Sequence, residues 1–224
     1  MSGNEPGLPE VAIATQGVLN IFGRHGSDAI ATVQQNKFSK QEVLEQYDCV
    51  IDVADVSLEI QRGEIFFVMG LSGSGKSTLV RHINRLLEPT EGGVEVNSEN
   101  VLALSPAALR RYRNEHIAMV FQNFALMPHR SVLDNNAMRL EIRRIPKNQR
   151  RQTALKVLEL VELRGWENKF ADELSGGMQQ RVGLARALSV DSEILLMDEP
   201  FSALDPLIRR QLQDEFIQLV SAVD

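Results

Sequence analysis

The run Ile65-Phe66-Phe67-Val68-Met69-Gly70-Leu71-Ser72-Gly73-Ser74-Gly75-Lys76-Ser77 constrains this chain more than any other segment. Large apolar residues from Ile65 to Met69, without alternation, predict a strand buried on both faces. Gly70 to Ser77 then fits GxxxxGK[ST] at every fixed position, and Lys76 to about Leu87 predicts a helix. In that layout successive backbone N–H groups and the positive end of a helix make an anion site. The glycines are needed where the backbone curls at torsions that a Cβ resists. Lys76 is placed to pair with the β- and γ-phosphates of a nucleotide, and the Ser77 hydroxyl to ligate Mg²⁺. Alone, the loop says only that the chain binds a nucleotide.

A second set of signals follows downstream. Leu174-Ser175-Gly176-Gly177-Met178-Gln179-Gln180-Arg181 offers a serine cap and free N–H groups at the start of a helix running to about Ser189. That is another anion-binding helix terminus, although an ordinary Ser-capped helix reads the same way. The apolar strand Ile194–Met197 ends in Asp198-Glu199-Pro200. Its end aims the Asp198 carboxylate at the phosphate loop, to hold the Mg²⁺ shell. Glu199 is placed to orient and deprotonate an attacking water. Acidic pairs at strand ends also serve as plain caps, and it is the order of the motifs that favours chemistry. Gln122 follows a predicted buried strand, Ile117–Phe121; it is either a polar terminus or, lying between the two nucleotide motifs, a participant.

The rest of the chain frames these motifs. With 224 residues, 43% hydrophobic and 24% charged, it suits one α/β domain with a sizeable core. A net charge of −6 argues against non-specific attraction to nucleic acid or anionic lipid. The basic runs Arg110-Arg111-Tyr112-Arg113 and Arg143 to Arg151 read as solvated helix faces. Cys49 is the only cysteine, which excludes an internal disulfide and a cysteine-based metal site. No apolar run approaches the ~18 residues of a membrane helix, and Met1 to Glu10 lacks the features of a signal peptide. The expectation is a soluble, cytoplasmic chain.

Residues 1–10 read as a loose tail, and Val18 to Phe22 as a first strand closed by Gly23. Ser39 and Glu42 form a capping box for a short helix through Leu44 and Tyr47. Ala54 to Ile60 alternates as a half-buried strand of an antiparallel layer. Ser105-Pro106 opens a helix toward Arg113. Residues 147–163 carry a helical stripe at Ala154, Leu155, Val157, Leu158, Leu160 and Val161. Asp205-Pro206 opens a last helix with Leu207, Leu212, Phe216 and Leu219.

Taken together, the glycine loop, Gln122, the LSGGMQQR segment, the LLMDEP strand and Ser202-Ala203-Leu204-Asp205 resemble the nucleotide-binding subunit of an ABC transporter over roughly residues 18–224. The resemblance implies an α/β fold: a P-loop NTPase core of the ABC type with an antiparallel β layer and a helical subdomain at about 102–175. It implies that ATP and Mg²⁺ are bound by Gly70, Leu71, Ser72, Gly73, Ser74, Gly75, Lys76, Ser77 and Thr78. The metal would be held by Ser77, Gln122 and Asp198, with Glu199 and Gln122 catalytic. Two copies would pair head to tail, so that Ser175, Gly176, Gly177, Gln179 and Asp205 serve the partner's nucleotide. Phe22 would stack on adenine or sit in the core.

A narrower resemblance is to importers of glycine betaine, proline betaine and choline. It rests on the polar insert at residues 24–50 and on three segments: Asn84 to Thr90, Phe124 to His129, and Phe201 to Arg209. It implies a transmembrane permease as partner, docked near Gln122 to Pro128, and indirectly a solute-binding protein. The chain would then lie peripherally at the cytoplasmic face of the inner membrane. The family's histidine after the next strand has no counterpart in His25, His82, His116 or His129, because the sequence ends at Asp224. The single domain, 1–224, is thus expected to be C-terminally incomplete, a fragment or a truncated product. The rival readings are an importer ATPase for another solute such as an amino acid, a chromosome-associated ATPase and a soluble ATP-binding regulator. No heptad run supports the chromosomal one, and no nucleic-acid partner is expected.

Overall fold

A computed structural model describes residues 10–23, 30, 40–200, 206, 209 and 210. The chain divides into two compact units, residues 1–109 and 110–224, each with its own apolar core.

The first unit is built on an antiparallel sheet. Strand β1 (Val11–Phe22) pairs with β2 (Val50–Gln61), Phe22 standing opposite Val50. On its other edge β1 pairs with β3 (Glu91–Val96), which turns into the short β4 (Glu99–Asn100), giving the order β2-β1-β3-β4. β1 begins well before the predicted Val18. Its pattern is broken at Gly17, which has φ +56 and sits in a register shift between Thr15 and Val18. A bulge of this kind interrupts alternation without ending the strand. The β3–β4 hairpin was not predicted either; Asn97 and Ser98 turn it with φ 50 and 63, the left-handed pair that a tight hairpin requires.

Along β2, Val56, Leu58 and Ile60 are half-buried while Asp55, Ser57 and Glu59 are exposed, as the alternation predicts; Ala54, expected on the half-buried face, is exposed. Helix α1 (Lys40–Tyr47) forms where the Ser39–Glu42 box places it. Its Val43 is wholly buried against Leu19, Ile21, Cys49 and Ile51. Helix α2 (Lys76–Ile83) stops short of the expected Leu87. Arg85 turns left-handed at φ 52, and the Asn84 Oδ1 accepts from the Leu86 N–H at 3.1 Å, a local bond that competes with further helix.

One expectation fails. Ile65 to Met69 forms no strand, and its side chains are exposed, Phe67 by 70% and Met69 by 89%. The run faces β2 across a cleft of 540 Å³ lined by Asp52, Val53, Val56, Phe66, Val68 and Lys76. An apolar run states a demand for burial, but a strand also needs a hydrogen-bonded neighbour. Among the described residues of this unit, β1 and β3 already pair on both edges.

In the second unit, β5 (Ile117–Val120) follows α3 (Pro106–Glu115), whose first residues lie in the first unit. Helices α4 (Val132–Ile142), α5 (Lys147–Leu160) and α6 (Gly176–Leu188) come next, then β6 (Ile194–Met197). β5 and β6 are parallel, with Ile117 opposite Ile194 and Val120 opposite Met197. The three helices share a core of Val132, Leu133, Val157, Leu158, Val182 and Ala185. α4 was not predicted; its signal was Ser131, whose Oγ accepts from the Asp134 N–H at 3.1 Å. On α5 the expected stripe is narrower, since Leu160 is 59% exposed.

Of the basic runs, Arg110 and Arg111 are exposed as expected, but Arg143 is not simply solvated. Its guanidinium donates to the Asn114 and Glu115 carbonyls, and that of Arg139 to Arg113, Asn114 and Ile117. The bonds to Arg113, Asn114 and Glu115 satisfy C-terminal carbonyls of α3, and the one to Ile117 reaches the start of β5. Burial, with the nearby Arg143 and Arg186 charges, pushes Arg139 down to about 10. The predicted last helix and Asp205 fall outside the described residues, apart from Pro206, Arg209 and Arg210, which are helical.

Candidate functional site

The glycine loop connects the exposed run to α2. Lys76 folds back over it, its Nζ donating to the Gly70 and Leu71 carbonyls at 3.0 and 2.8 Å. No side chain caps α2; its N-cap is Gly75, at φ 86. A Cβ on Gly75 would lie 2.3 Å from the Asp52 carbonyl oxygen of β2, and one on Gly70 would lie 2.6 Å from the Ser74 Oγ. At Gly75 the curled backbone thus lies too close to β2 for a side chain, while Gly73 faces open space; a curled, glycine-rich backbone is the requirement of a phosphate cradle. Leu71, Ser72, Gly73 and Ser74 are exposed, Ser77 is half-buried, and Thr78 is buried under the first turn of α2.

Gly75→Ala is expected to cost about 1–3 kcal/mol from the left-handed backbone alone, with the Asp52 clash added. The check is a lower thermal midpoint together with weaker nucleotide binding. A variant matching the parent in both would show that the loop does not need glycine there.

Phe22 closes β1 beside Gly23 and is 47% exposed. That removes the core reading and leaves a ring face open to a ligand.

The second unit gathers the other candidates. Val120 and Met197 are the last paired residues of β5 and β6, so Gln122 and Glu199 each stand two residues past a strand end. The Gln122 Nε2 donates to the Glu199 Oε2 at 3.4 Å. Asp198 is 2% exposed, and its N–H donates to the Val120 carbonyl at 3.0 Å. Glu199 has φ 44, a strained torsion of the kind that clusters at functional sites. The Gln122 amide and the Glu199 carboxylate thus meet, next to the buried Asp198, at the C-terminal edge of a parallel pair, where α/β sheets bind ligands.

Ser175 caps α6, its Oγ accepting from the Met178 N–H at 3.3 Å. Gly176 and Gly177 begin the first turn. Gln179 turns back, donating to the Ala171 and Leu174 carbonyls at 2.7 and 3.3 Å. The segment after Gln122 is held by a residue the sequence did not single out, Asn135. Buried in α4, it accepts from the Met127 N–H at 2.8 Å and donates to the Met127, Arg130 and Ser131 carbonyls. The only hint was an asparagine inside a helix, an unfavourable place without local partners.

The family model described as ABC transporter matches residues 53–202. The chain is 50% identical over 209 residues to the glycine betaine/proline betaine transport system ATP-binding protein ProV of Escherichia coli (strain K12), covering 93% of this chain and 52% of that protein. It is 49% identical over 209 residues to the glycine betaine transport ATP-binding protein OpuAA of Bacillus subtilis (strain 168), covering 93% and 50%. The chain thus spans about half the length of these relatives. Among solved structures, a dimeric post-hydrolysis state of the ATP-binding cassette MJ0796 bound to ADP and Pi superposes with a TM-score of 0.75 at 30% identity, covering 93% of this chain and 82% of that one.

Proposed function

The chain belongs to the ABC transporter family, and from that premise we propose that it is the ATP-binding and hydrolysing subunit of an importer for glycine betaine or a related quaternary amine. The observation supporting the ATPase half is the Gln122–Glu199 pair beside the buried Asp198, on a chain that also carries the glycine loop. The substrate half is supported by the likeness to ProV and OpuAA over 93% of the chain.

In this reading the glycine-loop N–H groups and Lys76 bind the phosphates, and Phe22 stacks on the adenine. Ser77, Asp198 and Gln122 are the residues that would hold Mg²⁺, which when bound neutralises charge on the β- and γ-oxygens. Buried carboxylate, hydroxyl and amide oxygens are the hard donors this ion takes. Glu199 accepts the proton of the attacking water, and Gln122 positions that water.

A second copy pairs head to tail, a reading supported by the dimeric state of the cassette it superposes on. Ser175, Gly176, Gly177 and Gln179, at the start of α6, and Asp205 then meet the partner's nucleotide. Gln122 to Pro128 meets a transmembrane permease, which is served in turn by a solute-binding protein. Attachment to the membrane runs through that permease, at the cytoplasmic face; no described helix is long and apolar enough to cross a membrane.

The test is uptake of labelled glycine betaine, choline and a polar amino acid in cells with and without this subunit. Loss of betaine and choline uptake alone is the expected result. Loss of amino-acid uptake with betaine uptake intact would overturn the substrate class and leave the transport ATPase standing.

A further inference from the structure

The turn after Gln122 is strained and has a dedicated clamp. Phe124 and Ala125 both have left-handed backbones, φ 53 and 47, and the Ala125 N–H donates to the Asn123 carbonyl at 2.5 Å. Neither residue is glycine, and such torsions persist only where the surroundings over-determine them. The surroundings here are one face of α6. Arg186 is 5% exposed, and its Nη1 and Nη2 donate to the Ala125 and Phe124 carbonyls at 2.6 and 2.8 Å. One turn earlier on the same helix face, Gly183 lies under the turn; a Cβ there would stand 3.6 Å from the Phe124 carbonyl oxygen, in ordinary van der Waals contact, and a larger side chain would press on it.

A guanidinium this deeply buried is expected to face a carboxylate; this one donates to two carbonyls of a strained turn. Its two parallel donors fit two adjacent carbonyls in a way that a lysine's single ammonium does not.

We propose that Arg186 is a positioning residue for ATP hydrolysis: it fixes the turn at Phe124 and Ala125, and so holds Gln122 against Glu199. The role rests on the ATPase reading above. Because Arg186 and Ser175 lie on one helix, α6 ties the segment facing the partner's nucleotide to the turn that sets Gln122. A helix of 13 residues rises about 20 Å at 1.5 Å per residue, so the two ends of the link are far apart and rigidly joined. Arg186 touches no reacting atom and acts through the turn.

The test compares the full chain with Arg186→Gln, Arg186→Lys and Gly183→Val. The last leaves the cation in place and adds bulk beneath Phe124. Amide hydrogen exchange reads the turn without reference to activity, and steady-state ATP hydrolysis reads the consequence. In Arg186→Gln and Gly183→Val, exchange should quicken at residues 123–126 while the rest of α6 keeps its protection. The kcat should fall about tenfold, equivalent to ~1.4 kcal/mol of transition-state positioning, with KM for ATP changed less than about twofold. Arg186→Lys should fall between the parent and Arg186→Gln.

Unchanged exchange at 123–126 in the folded variants would overturn the proposal. So would equal changes in kcat and KM, or full recovery in Arg186→Lys, which would mean that any buried cation suffices. Should Arg186→Gln not fold, Gly183→Val and Arg186→Lys decide by the same readouts. A parent chain that does not hydrolyse ATP would sink the ATPase reading, and the exchange data would still show whether Arg186 holds the turn.

Discussion

Glu199→Gln should bind ATP as the parent does and cease to turn it over. The substitution keeps the shape of the side chain, and its amide oxygen still accepts from Gln122, whose Nε2 lies 3.4 Å from the Glu199 Oε2. The left-handed backbone at φ 44 is no harder for glutamine than for glutamate. What is lost is the ability to take a proton from water. A positioned general base contributes roughly 10²–10⁴-fold, and the fall in kcat should lie in that range. Nucleotide affinity and the thermal midpoint should not move, and ATP-bound dimers should accumulate. Phosphate release and equilibrium nucleotide binding together are the measurement; turnover at the parent rate would exclude Glu199 as the base.

Lys76→Ala should have the opposite signature, with binding lost first. The Lys76 ammonium donates to the Gly70 and Leu71 carbonyls. Both are on an exposed loop, where water replaces the donor. The fold should therefore tolerate alanine and the thermal midpoint should stay near the parent value. The phosphates lose a charged donor worth about 1.5–3 kcal/mol, which is about 10- to 150-fold in Kd. Titration with ATP in the presence of Mg²⁺ is the check. Unchanged affinity would remove Lys76 from the site.

Much of this molecule was legible because its signals are local. The capping box at Ser39 and Glu42, the Ser105-Pro106 start, the Ser175 cap and the apolar runs at Ile117 and Ile194 each announce an element from within a few residues. α4 has a local start signal too, in Ser131 and Asp134, but its apolar face is broken by the buried Asn135 and Asn136, which hides the helical period.

What the sequence could not supply is pairing. Nothing in Ile65–Met69 says which strand would bond to it, and in this structure the run stands exposed. Nothing in the order of motifs says that Gln122 and Glu199, 77 residues apart, meet at the ends of β5 and β6; that follows from a parallel register. Arg186 was invisible for a related reason. An arginine near the end of a helix reads as a solvated cation, and only the fold sets two strained carbonyls in front of it.

The single thiol has a practical consequence for watching the machinery move. Cys49 is the only cysteine in the sequence and is wholly buried in the α1 cluster. A thiol with no exposed surface is out of reach of a labelling reagent and reacts slowly. A reporter cysteine introduced on the surface, in the loop after Gln122 or ahead of α6, would thus take a spin label or fluorophore almost alone. The native chain needs no prior cysteine removal, and paired reporters could follow the distance between these segments through a catalytic cycle.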